Sequence, residues 1–342
     1  MIVVVIASAA LWGLGVVMRA PVWQRGLMIA VIWAGFVAVQ PWVAAGGPLA
    51  LGDSGKRLIF IIFVLTALGL IYRYGLGLLR QRVTPIAPVK AAFSEVELER
   101  YARHIMLREI GGPGQNRLKA ARVLVIGAGG LGSPALLYLA AAGVGCIGIV
   151  DDDVVDASNL QRQIIHTDQR IGMGKTASAA VQMRALNPFV TVRQHAVRLT
   201  DANAEALLRD YDLVLDGSDN FDTRYLVNRV AARLGKPLIS GAISQWEGQI
   251  SLYDPANGTP CYECVFADRP APGMVPTCAE AGVVAPLPGV IGAIMATEAV
   301  KHISGAGQTL RGRLMIHDAL YGEVRVIDIA RRADCAVCGS GH

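Results

Sequence analysis

Between Arg122 and Asp151 the chain runs through an apolar stretch, a glycine-rich turn, a run of small residues, a second apolar stretch and an acid. Arg122-Val123-Leu124-Val125-Ile126 reads as a buried parallel strand, Ser133 to Ala142 as a helix and Cys146 to Val150 as the next strand. Gly127-Ala128-Gly129-Gly130-Leu131-Gly132 joins the first two, and Asp151 stands nineteen residues past the last glycine. Few folds accommodate that order. It is the strand–turn–helix–strand–acid arrangement of a nucleotide-binding βαβ unit. Glycines let the turn fold tightly and bring backbone N–H groups and a helix N-terminus to phosphate oxygens. A carboxylate ending the second strand can accept from ribose hydroxyls. Alone, the pattern suggests a nicotinamide cofactor; the residues that follow argue for different chemistry.

From Phe93 onward strands and helices alternate. Helices are expected over Gly174 to Asn187, Ala202 to Arg209, Asn220 to Leu234 and Gly289 to Ile303. Strands are expected over Val190 to Ala196, Leu213 to Asp216, Pro237 to Gly241 and Gln249 to Tyr253, with a closing hairpin from Arg311 to Ile316 and Glu323 to Ile329. This rhythm predicts an α/β domain over 93–342 with a doubly wound, Rossmann-like, mostly parallel sheet and late antiparallel strands.

The first 90 residues read differently. Met1 to Met18 and Gly26 to Gly52 carry no charge apart from flanking groups, and Leu58 to Tyr72 is again uncharged. A membrane-crossing helix needs about 20 apolar residues. Three transmembrane helices are expected, near 1–18, 26–46 and 58–79, the third requiring Arg73 to reach the headgroups. Residues 80–92, with Pro85 and Pro88, then form a linker. Residues 1–90 hold eight Lys or Arg against one acid, a net of +7, whereas 91–342 hold twenty-four against twenty-six, a net of −2. The basic excess therefore flanks the apolar runs and gives no surface for nucleic acid. Positive-inside reasoning places a multi-pass anchor in the inner (plasma) membrane with residues 80–342 in the cytoplasm. A cleaved signal peptide would open on basic residues and a shorter apolar core, unlike Met-Ile-Val-Val-Val.

Beyond Asp151 lie Asp152, Asp153, Asp156, Asn159, Arg162 and, thirteen residues later, Lys175. A hydride-transfer enzyme needs a flat apolar pocket here. Two cations converging on a triphosphate instead suit attack at phosphorus, where they offset charge building on the transferred and leaving groups. Ser218-Asp219-Asn220 places an acid where a strand meets a helix, the edge at which open α/β sheets bind ligands. Asp219 there suits a magnesium ion bridging phosphate oxygens.

Gly127 to Gly132, Asp151, Asn159 to Gln163, Lys175 and Ser218-Asp219-Asn220 resemble the ubiquitin-activating-enzyme-like family, of MoeB, ThiF and HesA type. The likeness runs from about Tyr101 to Cys338 and includes Glu247-Gly248-Gln249-Ile250 and Glu280-Ala281-Gly282-Val283. It implies ATP-dependent adenylation of the C-terminal glycine of a small ubiquitin-like sulfur carrier ending in Gly-Gly, feeding molybdopterin, thiamine or a related product. It also implies roles. Gly127, Gly129, Gly130 and Gly132 would cradle phosphates, with Asn159 and Asn220 beside the nucleotide. Asp151 would hold ribose, Arg162 and Lys175 the phosphates, and Asp219 magnesium. Arg103 would reach into a partner's site in a homodimer. Sulfur would come from a separate donor. The alternatives are adenylation of a carboxylate on modified tRNA, or a non-catalytic membrane scaffold.

Four of the six cysteines form Cys261-x-x-Cys264 and Cys335-x-x-Cys338. Two close pairs far apart in sequence are the spacing of a tetrathiolate zinc site, and a full shell of four has no open position for catalysis. Two disulfides, or a redox dithiol using one pair, are the other readings of that spacing. Cys278 lies in a Pro- and Gly-rich crossing stretch, Arg269 to Gly289. In related proteins a cysteine there serves sulfur transfer in some and is dispensable in others. Cys146 starts a strand and is read as packing.

Overall fold

The computed structural model describes residues 93–270 and 281–339, with scattered residues between 4 and 45. The chain divides into two compact units, Met1–Val89 and Lys90–His342.

In the first unit the expected inner-membrane localisation is corrected. Among the described residues no helix is long and apolar enough to cross a membrane. Apolar composition sets which surroundings a side chain tolerates, but a span requires about 20 residues of unbroken helix. Arg25 also stands over the ring of Trp12, 5.9 Å from its centroid, which sets a cation against a ring expected inside the first span. Most of the expected spans 1–18 and 26–46, all of 58–79 and the linker 80–92 lie outside the described residues.

The second unit opens with two helices that the sequence reading did not assign, α1 (Glu95–Ile105) and α2 (Gly111–Ala120). A capping box starts α1: the Glu97 N–H donates to Ser94 Oγ at 3.3 Å, and the Ser94 N–H donates to Glu97 Oε2 at 2.9 Å. Lys119 of α2 closes on the same carboxylate at 2.5 Å. Burial pushes that carboxyl's pKa up, but the bonds from Lys119 and Ser94 outweigh it and hold it below the usual range.

The nucleotide-type unit follows: β1 (Arg122–Ile126), α3 (Gly132–Ala142) and β2 (Cys146–Val150). After a long connection come α4 (Lys175–Leu186), β3 (Thr191–His195), α5 (Ala204–Arg209) and β4 (Leu213–Asp216). Next are α6 (Phe221–Arg233), β5 (Leu238–Ile243), β6 (Glu247–Tyr253) and a single turn, α7 (Tyr262–Val265). The unit ends with α8 (Pro286–Ser304), β7 (Arg313–Asp318) and β8 (Glu323–Asp328).

All eight strands form one sheet ordered β3-β2-β1-β4-β5-β6-β7-β8. The pairs from β3 to β5 are parallel and those from β5 to β8 antiparallel, so the α/β, doubly wound expectation holds. Alternation along β1 explains the layers. Val123 and Val125 pack with α3, α4 and α8, while Leu124 and Ile126 pack with α5 and α6. Each such buried side chain contributes about 1.5–3 kcal/mol. Because β1 pairs with both β2 and β4, the chain reverses its winding direction beside it, and a crevice opens at those strands' carboxyl ends.

Candidate nucleotide and metal sites

The glycine turn is fixed from both ends. Gly127 has a φ of +89°, a left-handed conformation that favours glycine, and its N–H donates to the Val150 carbonyl at 2.8 Å. A Cβ at position 132 would lie 1.9 Å from the Gly127 carbonyl oxygen, so no side chain fits there. No side chain caps α3. The N–H groups of Gly129, Gly130 and Leu131 have no acceptor among the described residues. They are the orphan donors of a helix start, pointed where an anion would sit.

Asp151 has partners of its own at the turn. Its carboxylate accepts from the Ala128 N–H at 2.7 Å and from the Asp153 N–H at 2.9 Å, which ties the end of β2 to the turn. Lys175 begins α4, is buried, and pairs with the exposed Asp153 at 2.9 Å. Half-buried Arg162 donates to the Ser158 carbonyl and to Asn159 Oδ1, both at 3.2 Å. A Cβ on Gly130 would meet Arg162 Cγ at 3.7 Å, so Arg162 borders the turn.

The end of β4 meets the same crevice: a Cβ on Gly217 would lie 3.1 Å from Leu131 Cβ. Asp219 is exposed. Beside it Asn220 caps α6, accepting from the Thr223 N–H at 2.8 Å. Beneath Asp219 lies a polar network absent from the sequence reading. The Asp216 carboxylate, 1% exposed, accepts from Ser218 Oγ at 2.6 Å and Ser240 Oγ at 3.0 Å, with Arg224 at 3.7 Å. Arg224 also donates to the Ser218 carbonyl. Its signal in the sequence was faint: an arginine one helical turn after a capping asparagine. The turn thus gathers Asp151, Asn159, Arg162, Lys175 and the loop bearing Asp219, whereas Arg103 sits exposed on the last turn of α1. Cys278 lies outside the described residues.

Elsewhere in this unit, Cys261, Cys264, Cys335 and Cys338 converge and are all buried. Their sulfurs stand 3.9 Å (261–264), 3.6 Å (261–335) and 3.4 Å (264–338) apart, too far for disulfides. A tetrahedron of thiolates about 2.3 Å from zinc has edges of about 3.8 Å, so the donor set fits that ion. Further donors face the sulfurs: the Arg332 N–H to Cys264 Sγ at 3.5 Å, and Asn228 Nδ2 to Cys261 Sγ at 3.8 Å. Burial pushes the Cys261 thiol up, so without a cation it would stay protonated. Asn228 lies on α6, eight residues beyond Asn220, so one helix runs from the crevice to the cluster.

Residues 101–337 match the model of a family described as the ThiF family. A sulfur carrier protein adenylyltransferase from Thermus thermophilus is 49% identical over 251 residues, covering 72% of this chain and 93% of the relative. A probable adenylyltransferase/sulfurtransferase MoeZ from Mycobacterium tuberculosis is 51% identical over 250 residues, covering 72% of this chain. The chain spans only 64% of that relative's length. Among solved structures, E. coli MccB with MccA-N7isoASN aligns with a TM-score of 0.63 at 23% identity, covering 70% of this chain and 75% of that one. That likeness concerns the fold alone.

Proposed function

The chain belongs to the ThiF family, and from that premise we propose that it adenylates the C-terminal glycine of a small ubiquitin-like sulfur carrier. The observation that carries this reading is the 49% identity to a sulfur carrier protein adenylyltransferase along 93% of that relative's length. The crevice supports it, since unpartnered N–H donors and Arg162 border the turn, and Lys175 is linked to it through Asp153 and Asp151.

In the reaction a carboxylate oxygen of the carrier attacks the α-phosphorus of ATP. A new O–P bond forms, the bond to the β-phosphate oxygen breaks, and pyrophosphate leaves with the electron pair. The Gly129 and Gly130 N–H groups and the start of α3 receive phosphate oxygens. Asp151 takes the ribose hydroxyls with the part of its carboxylate not engaged by Ala128 and Asp153. Lys175, held ready by Asp153, and Arg162, held ready by Asn159, offset charge on the phosphates as pyrophosphate departs. Asp219, exposed beside the Asp216 network, would hold magnesium, whose charge would offset that of the triphosphate. Arg103 completes the site of a second copy in a homodimer. A sulfur nucleophile of a separate donor then attacks the acyl carbon of the adenylate. A C–S bond forms, the bond to the AMP phosphate oxygen breaks, and AMP leaves with the electron pair. Cys278 is a candidate thiol on this chain for the same attack. The four cysteines would hold zinc, which would supply a structural tie and no catalytic position.

The test is ATP–pyrophosphate exchange with a carrier ending in Gly-Gly, compared with the same carrier lacking its last glycine. Exchange with the intact carrier alone is expected. Equal exchange without the terminal glycine, or none with either, would overturn the reading.

A further inference from the structure

His166 lies outside every role given above, yet it is 5% exposed and both ring nitrogens are engaged. Nε2 stands 3.0 Å from the Ala128 carbonyl oxygen, and Nδ1 stands 2.9 Å from Ser178 Oγ. A carbonyl only accepts, so Nε2 carries the proton and Nδ1 accepts from the Ser178 hydroxyl. One neutral tautomer satisfies both contacts. Burial lowers the ring's pKa below the usual histidine value; Lys175 and Arg170 push the same way, against the Ala128 carbonyl and Asp151. The ring therefore stays neutral at ordinary pH.

What the ring holds is half of the turn. The Asp151 carboxylate takes the Ala128 N–H, which fixes the peptide plane between residues 127 and 128. The next plane, between 128 and 129, is held through the Ala128 carbonyl, by His166 and by a long 3.4 Å contact from Ser133 Oγ. A trans peptide is planar, with C=O and N–H pointing to opposite sides. Drawing the Ala128 carbonyl inward therefore turns the Gly129 N–H outward, and that N–H has no acceptor among the described residues. Glycine at 129 resists rotation of this plane little, so the restraint has to come from outside the turn. Through Ser178 the same ring grips α4, one turn beyond Lys175.

We infer that His166 is a positioning residue for adenylation: it locks the Ala128–Gly129 peptide so that the Gly129 N–H faces the phosphates, and it sets that plane in register with the helix bearing Lys175. The inference rests on the adenylation reading above.

The test uses the full chain with zinc bound and compares His166→Phe, which keeps a ring but no donor, with His166→Gln, whose Nε2 can reach the same carbonyl. For H166F the ATP KM should rise on the order of ten- to a hundredfold, as sub-ångström misplacement of a binding group does. The KM for the carrier and the zinc content should stay at wild-type values, with the melting temperature lower by roughly a few degrees because Phe leaves the buried Ser178 hydroxyl and the Ala128 carbonyl without their partner. H166Q should recover most of the loss, which a purely structural role would not predict. The inference is overturned if the ATP KM of H166F is unchanged, or if both KM values shift alike while Gln gives no rescue. Should H166F lose zinc or fail to fold, Ser178→Ala removes only the partner at Nδ1; its ATP KM should rise about two- to tenfold with zinc retained, and no rise overturns the inference. If the wild-type chain shows no exchange with any carrier, the adenylation reading fails on its own. ATP affinity measured by calorimetry then decides the inference, with the order wild type, Gln, Phe expected and equal affinities overturning it.

Discussion

At the carboxyl ends of β1, β2 and β4 the charged side chains occupy one another: Lys175 with Asp153, Arg162 with Asn159, Asp216 with Arg224 and two serines. In the cysteine cluster the four sulfurs have mainly each other, at distances that suit an ion between them. On the proposed function, the difference separates a ligand that comes and goes from one that stays. Groups awaiting an exchangeable anion need partners in its absence, because an unpaired buried charge is costly. Groups built for a resident cation need none. α6 spans both designs, with Asn220 and Arg224 toward the crevice and Asn228 toward the cysteines.

Removing the metal should have the largest effect, since structural zinc sites supply about 10–16 kcal/mol of local folding free energy. Chelation, or Cys335→Ser, should leave the segment from Pro255 onward open to proteolysis and lower the melting temperature. Metal-free protein that melts like wild type would break the comparison at the cysteine end. Next comes Arg224→Met, which strands the buried Asp216 carboxylate and should cost about 3–5 kcal/mol in denaturant titrations. If stability is unchanged, the network under Asp219 is not the rigid support described. The smallest effect on the fold, though not on activity, belongs to Lys175→Met. It should lower kcat/KM for exchange by about a hundred- to a thousandfold while stability barely moves, because its partner Asp153 is 67% exposed and returns to water. A large loss of stability there would make Lys175 part of the core instead of the site.

How much was legible follows from how local each signal is. The glycine turn, Asp151 and the cysteine pairs were readable because spacing along a few residues dictates them. The Asp216–Arg224–Ser240 network was not, since β4, α6 and β5 must first be packed together. His166 meets Ala128 across 38 residues, a contact no periodicity announces. α1 offered a signal in Ser94-Glu95-Val96-Glu97, a capping box ahead of an amphipathic run. α2 opens Gly111-Gly112-Pro113-Gly114, which propensity alone would reject as helix. Packing overrides it: a Cβ on Gly114 would stand 2.9 Å from Ile110 and 3.3 Å from Ser304 at the end of α8. The membrane reading rested on apolar composition alone, and among the described residues no helix is long and apolar enough to cross a membrane.

The two cysteine pairs are joined across 74 residues, and α8, β7 and β8 all lie within the loop they close. Contacts of that sequence separation form late, because the entropy of closing a long loop is lost before the contact rewards it. The parallel strands β1 to β5 precede this loop and can order without it. An ion captured early by Cys261 and Cys264 alone would wait with half a shell until the hairpin arrives. Zinc supply would therefore govern how quickly a newly made chain matures, as well as the state in which it ends.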